Sequence, residues 1–196
     1  MARDENRERR RRQIAEAVWR LAAREGLEAV TLRQVADEAE VSMRLVQYYF
    51  GNRTTLLVSA LEMLNADAEA VAQERVGALG DLSPPELVRA VLMELLPLDE
   101  DRRRRYVVHS AYFVRFLTDP QLQQVARNAD PALESLLESL LDADPSTRSD
   151  DPRADAELLI AFAFGLQAQM LLDQLDGPHA LRLLDRTLDR LLPESR

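Results

Sequence analysis

Ser42, Met43, Arg44, Gln47 and Tyr48 are the side chains whose types and spacing could do selective chemistry in this chain of 196 residues. On a helix they lie away from Val41, Leu45 and Val46, so the apolar three turn inward and the others outward. Arg can bond the guanine edge, Gln the adenine edge, and Met can pack on a thymine methyl. A Tyr hydroxyl and the free amides of a helix start suit phosphate oxygens. This is contact chemistry, with no bond made or broken. Catalytic alternatives are poorly supplied. The chain has no cysteine, so a thiolate nucleophile, a disulfide frame and a Cys-based metal site are excluded. Its two histidines, His109 and His179, lack partners at metal-ligand spacing, and no glycine-rich phosphate loop occurs. A small helical enzyme is therefore the least favoured reading, and neither cofactor nor metal is expected.

The elements needed to position those side chains are legible. The stretch TLRQVADEAEVSMRLVQYYFGNRTTLL spans residues 31–57. Thr31 and Gln34 have capping-box spacing, which starts a short helix with Leu32, Val35 and Ala36 inward and an end near Ala39. Ser42 caps a second short helix, and Gly51-Asn52 break it. Two short helices joined by a tight turn make a helix-turn-helix. A longer helix over 7–25, with Ile14, Ala17, Val18 and Leu21 on one face and Gly26 after it, precedes the pair. Beyond residue 52 the helical spacing predicts segments at 53–78, 83–96, 99–117, on to 142, and at 153–175 and 178–192, with 142–152 as the best loop. The fold class is all-α, with about nine helices.

Charge divides the chain as well. The net charge is −9, yet residues 1–55 carry 11 arginines against nine acids, and residues 56–196 carry 14 against 25. Lysine is absent. A mildly basic head on an acidic body confines nucleic acid to one end. The domains are accordingly 1–55, DNA-binding, and 56–196, effector-binding and dimerisation. No uninterrupted apolar run reaches the roughly 18 residues of a membrane span, and no apolar signal core follows the arginine-rich start. A cytoplasmic location without a membrane partner is expected.

The order of these residues resembles the tetracycline-repressor (TetR) family. The resemblance rests on Gly26, Thr31, Val35-Ala36, Ala39, Val41-Ser42, Tyr48-Tyr49-Phe50, Arg53 and Leu56-Leu57, over roughly residues 10–57. Glu40 stands where the family has its turn glycine. A left-handed backbone at a non-glycine residue costs about 1 kcal/mol. The resemblance implies DNA contacts from Thr31, Arg33, Ser42, Arg44, Gln47, Tyr48, Tyr49 and Arg53; the outward face adds Met43. Thr31 as a pure cap, and Tyr49 and Phe50 as packing for a small core, stand beside that reading. Arg7 and Arg9 to Arg12 either follow phosphates or start a solvated helix. The run Arg102–Arg105 reads as a solvated helix start.

In the second domain, two helices are apolar on more than one side. For 153–175 the second side suits a twin subunit. With the stripe Leu181, Leu184, Leu188 and Leu191 this suggests a four-helix interface across a two-fold axis, involving Phe164, Leu171, Leu181, Leu184 and Leu188. The resemblance agrees, since TetR-type regulators dimerise through their last two long helices. The run from about Asp99 to Leu192 also resembles the BetI-type C-terminal domain. For 106–117 the second side could line a cavity. His109, Tyr112 and Gln167 would orient a small apolar or aromatic effector, with Met63, Phe113, Phe116, Phe162 and Met170 as walls; ordinary core packing is the alternative. Together these readings imply a homodimeric regulator of a double-stranded, near-palindromic operator. A repressor released by an effector leads; an activator or an effector-independent regulator is the alternative.

Overall fold

The computed structural model of the chain describes residues 2–127, 131–143 and 149–191. Among these there are ten α-helices, one short 3-10 turn and no strand. The helices are α1 (Ala2–Glu25), α2 (Leu32–Glu38), α3 (Met43–Phe50), α4 (Arg53–Gly77), α5 (Pro84–Glu94), α6 (Glu100–Thr118), α7 (Pro120–Arg127), α8 (Ala132–Asp142), α9 (Pro152–Leu171) and α10 (Gly177–Leu191). The tenth helix arises because 119–142 forms two helices, α7 and α8. Asp119 starts α7 by accepting the amides of Gln121 and Leu122. Asp130, residues 144–148 of the expected loop, Leu192 and the Leu191 side chain lie outside the described residues.

The chain forms two compact units. One comprises Met1–Glu69 with Val107–Ala129, the other Ala70–Tyr106 with Asp130–Arg196. In the first, Ile14, Val18 and Leu21 of α1 meet Val35 and Ala36 of α2, Val46 and Phe50 of α3, and Leu56 and Leu57 of α4. Val108 and Tyr112 of α6 and Leu122 of α7 complete this core. The head expected over 1–55 is thus packed against chain from well beyond it. The Tyr112 hydroxyl donates to the Leu57 carbonyl over 2.8 Å. The Trp19 indole donates to the Ala60 carbonyl over 2.9 Å, so the polar tips of these two aromatic side chains are both satisfied.

In the second unit, α5, α8, α9 and α10 bury Val88, Leu92, Leu137, Leu141, Leu159, Ala163, Leu166 and Leu184. α5 starts where the Glu86 carboxylate accepts from the Ser83 amide and hydroxyl, which also holds that carboxyl below its usual range. The arginine run at 102–105 is more engaged than its charge suggests. Arg102 is half-buried between Asp99 and Glu94. Arg103 donates to the carbonyls of Met170 and Leu171 at the end of α9, adding to the Asp173 amide that the Met170 carbonyl already accepts. Arg104 is the exposed member, paired with Asp101 one turn away. α9 is long and apolar enough to cross a bilayer by composition, but Leu159, Ile160, Ala163, Leu166 and Met170 are buried in this core, and a soluble core helix has the same composition.

Two outcomes test this packing. Tyr112→Phe keeps the ring and loses one buried hydrogen bond, so it should lower unfolding stability by about 1 kcal/mol in urea denaturation. Burial raises the phenol pKa of Tyr106 to about 12 and that of Tyr112 further, so the fold favours the neutral forms. Their contribution is complete below the ordinary tyrosine pKa of 10.0 and is lost as pH climbs towards 12. Thermal melts should therefore fall steeply over that window, and less steeply in Tyr106→Phe.

Candidate nucleic-acid interface

The helix-turn-helix is held by side chains acting on backbone. Thr31 accepts the Gln34 amide, and the Gln34 side chain accepts from the Thr31 amide and hydroxyl, so the capping box closes in both directions. After α2 the Val41 amide donates to the Ala36 carbonyl over 2.9 Å. Gln13 of α1 donates to the Ala39 carbonyl over 2.8 Å, which satisfies the end of α2 from outside the motif. The chain then turns through Glu40 at φ 53°. The left-handed turn expected at this family position is present, with a carboxylate residue bearing the strain. Ser42 caps α3 by accepting the Leu45 amide. Gly51, at φ 71°, closes α3 with its amide on the Gln47 carbonyl. Asn52 caps α4 through the Thr55 amide.

This scaffold fixes which way α3 faces. Val46 and Phe50 are buried, Leu45 and Tyr49 half-buried. Met43, Arg44, Gln47 and Tyr48 are exposed together, and Tyr48 at 79% is the most exposed large apolar side chain among the described residues. Arg33, Thr31 and Ser42 are exposed beside them. Tyr49 packs edge-on against Tyr48, with ring centres 5.2 Å apart, so it steadies the exposed ring from the core side. Arg53 is placed differently. It is half-buried and donates from Nε to the Val30 carbonyl and from Nη2 to the Leu27 carbonyl. Its fork holds the turn that precedes Thr31.

The arginines of the N-terminus form the start of α1. Arg12 pairs with Asp67 of α4, and Arg11 lies 5.4 Å from the centre of the Phe50 ring. Arg9 bonds Asn6, and Arg7 is exposed. Gln13 is a supporting residue that sequence reasoning passed over, and Arg11 and Asn52, read there as part of an arginine run and as a helix break, also act as supports. A glutamine beside the apolar stripe of α1, and an asparagine just before a helix, were the available signals.

The residues expected around an effector are divided between the two units. In the first, Tyr112 is fully buried, Met63, His109 and Phe116 are half-buried, and Phe113 is exposed beside Val114 and Leu117. In the second, Met170 is buried and Phe162 half-buried, and Gln167 donates its amide to the Leu95 carbonyl over 2.8 Å. The Tyr112 hydroxyl and the Gln167 amide thus already serve the protein's own backbone. Of the residues expected at a dimer interface, Phe164 is exposed and Leu171 and Leu181 are half-buried. Leu184 and Leu188 instead belong to the core of their own chain. A helical apolar stripe shows that a face is buried, not what buries it.

A head that presents a capped, outward-facing recognition helix defines a helix-turn-helix DNA-binding regulator. Comparison with known proteins makes the class specific. Residues 14–60 match the family model described as bacterial regulatory proteins, tetR family, and residues 84–193 match that of the BetI-type transcriptional repressor C-terminal domain. The chain belongs to the TetR family of bacterial transcriptional regulators, which are not enzymes. It is 28% identical to the HTH-type transcriptional regulator PksA of Bacillus subtilis over 85% of this chain and 80% of that protein. A transcriptional regulator from Rhodococcus sp. Rha1 shares its fold with a TM-score of 0.81, at 29% identity over 93% of this chain and 95% of that one. The multidrug binding protein EbrR, solved in complex with imidazole, has a TM-score of 0.66 at 27% identity, covering 95% and 92% of the two chains.

Three substitutions separate reading from support. Arg44→Ala should leave stability unchanged and weaken binding to a selected duplex by about 1–3 kcal/mol in a gel-shift titration. Arg53→Gln should lower unfolding stability by about 2 kcal/mol, because two charge-assisted bonds to backbone are lost. Glu40→Gly should raise stability by about 1 kcal/mol in chemical denaturation, because the left-handed backbone no longer carries a Cβ.

Proposed function

We propose that this regulator is a cytoplasmic, homodimeric repressor of a near-palindromic operator, released by a small apolar or aromatic effector. The observation that carries the reading is the outward face of α3, where Met43, Arg44, Gln47 and Tyr48 are exposed together on a helix fixed from behind. Arg44 and Gln47 read base edges, Met43 packs against a thymine methyl, and Tyr48, Ser42, Thr31, Arg33 and Tyr49 meet the phosphate backbone. Arg53 acts through the turn it holds. Residues 1–55 supply this surface and residues 56–196 the effector and dimer functions.

The case for a dimer rests on α9. Leu158 at 63%, Phe164 at 49% and Leu172 at 68% exposed form an apolar face that a second copy would cover. With Leu171 and Leu181 at its margin, two such faces meet about a two-fold axis and present α3 twice. The BetI-type repressor match over the second domain supports repression. The ligand in the EbrR structure supports a small-molecule effector. An effector releases DNA only to the extent that it binds the released state more tightly. Its polar anchors are groups other than the Tyr112 hydroxyl and the Gln167 amide, since those are already bonded.

Selection from a random duplex pool should yield a two-fold-symmetric site, bound with an affinity that falls steeply with salt. A pool that shows no enrichment, or affinity indifferent to salt, contradicts the reading. Phe164→Glu should give a folded monomer by sedimentation velocity and lose binding to the full site. A monomeric variant that binds the full site as tightly as the parent contradicts the dimer.

A further inference from the structure

Glu40 combines two unfavourable features at a sensitive place. It is one of two non-glycine residues with positive φ among the described residues, at 53°. Its side chain is exposed, and no ion pair to it occurs among the described residues, whereas Glu38 beside it is bonded by both Arg20 and Arg24. It lies in the turn two residues before Ser42, the cap of α3. In a DNA complex the start of a recognition helix lies at the groove and close to backbone phosphates. A carboxylate there is repelled by any phosphate it approaches, and folding stability alone would favour glycine. Packing does not explain the side chain, because Glu40 is exposed.

Resting on the reading of α3 as the DNA-binding helix, we infer that Glu40 is a specificity-determining residue that acts by repulsion. Non-sequence-specific complexes are held by phosphate contacts, so the carboxylate opposes all of them. At a matching site the α3 side chains fix the turn against base edges, where the amino group of cytosine can donate to a carboxylate. The penalty is offset there and nowhere else. Specificity is a difference of affinities, and a repulsive group directed at the competitor raises it without strengthening the correct complex.

The test uses the full-length chain, a fluorescent random-sequence duplex of about 30 base pairs and a duplex enriched by the unsubstituted protein. Glu40→Gln removes the charge and keeps a side chain in the left-handed turn. It should tighten binding to the random duplex about three- to tenfold and to the enriched duplex less than about twofold, which lowers the ratio between them. Glu40→Gly removes the charge and the strain together. It should repeat the binding result and, unlike Glu40→Gln, raise the melting temperature, which separates charge from backbone. Glu62→Gln, the same charge change at an exposed position on α4, should leave both affinities unchanged. Equal tightening on both duplexes, no tightening on the random one, or the same effect from Glu62→Gln would overturn the inference while leaving the DNA-binding reading intact. Failure of the unsubstituted protein to enrich any sequence would overturn both.

Discussion

An eight-residue helix cannot hold itself in water, and α3 is only eight residues long. It persists because Val46 and Phe50 are buried against α1, α2 and α4, and because its ends are closed by Ser42 and Gly51. That burial fixes its rotation about its own axis. With one face committed to the core, Met43, Arg44, Gln47 and Tyr48 have no orientation open to them except outward. The Gln13 bond to the Ala39 carbonyl, the Arg20 and Arg24 bonds to Glu38 and the Arg53 bonds to Leu27 and Val30 each restrain α2 or the segments next to it. The outer surface of α3 is therefore a by-product of how a small core closes, with Met43, Arg44, Gln47 and Tyr48 on its outside.

The core that closes this way is larger than the motif it serves. Tyr112 and Val108 of α6 and Leu122 of α7 are buried in the same unit as α3, and Arg115 of α6 pairs with Glu28, just before α2. The head is thus joined to elements outside residues 1–55 by buried apolar area, the Trp19 bond to the Ala60 carbonyl and the Arg12–Asp67 and Arg115–Glu28 ion pairs. This is the kind of contact through which a change elsewhere in α6 would reach the head. Inside the second unit, Arg103 ties the start of α6 to the end of α9 in the same manner, charge to helix carbonyl.

Local signals were legible in the sequence. The Thr31–Gln34 capping box, the Ser42 cap and the inward and outward faces of α3 all follow from residue type at short spacing, because their physics is confined to one turn of chain; the left-handed position at 40 was indicated only by the family resemblance. Long-range assignments were not legible in the same way. Arg53 looks like a phosphate contact until the carbonyls of Leu27 and Val30 are brought to it from more than twenty residues away. Leu184 and Leu188 show the period of a buried stripe, but only the fold shows that their own chain covers them. Phe113 and Phe116 are equally aromatic in sequence, yet one is exposed and the other packs on the core. The arginine run at 102–105 reads as solvated charge because nothing local indicates that Arg103 meets the end of α9.

The central claim is that the outer face of α3 is the surface that meets DNA. A crystal structure of the chain with an enriched duplex tests it most directly. The account predicts α3 in the major groove, with Arg44 and Gln47 within hydrogen-bond distance of base edges and Arg53 still on the Leu27 and Val30 carbonyls. A complex in which the duplex lies on another surface, with Met43, Arg44, Gln47 and Tyr48 facing solvent, would contradict it.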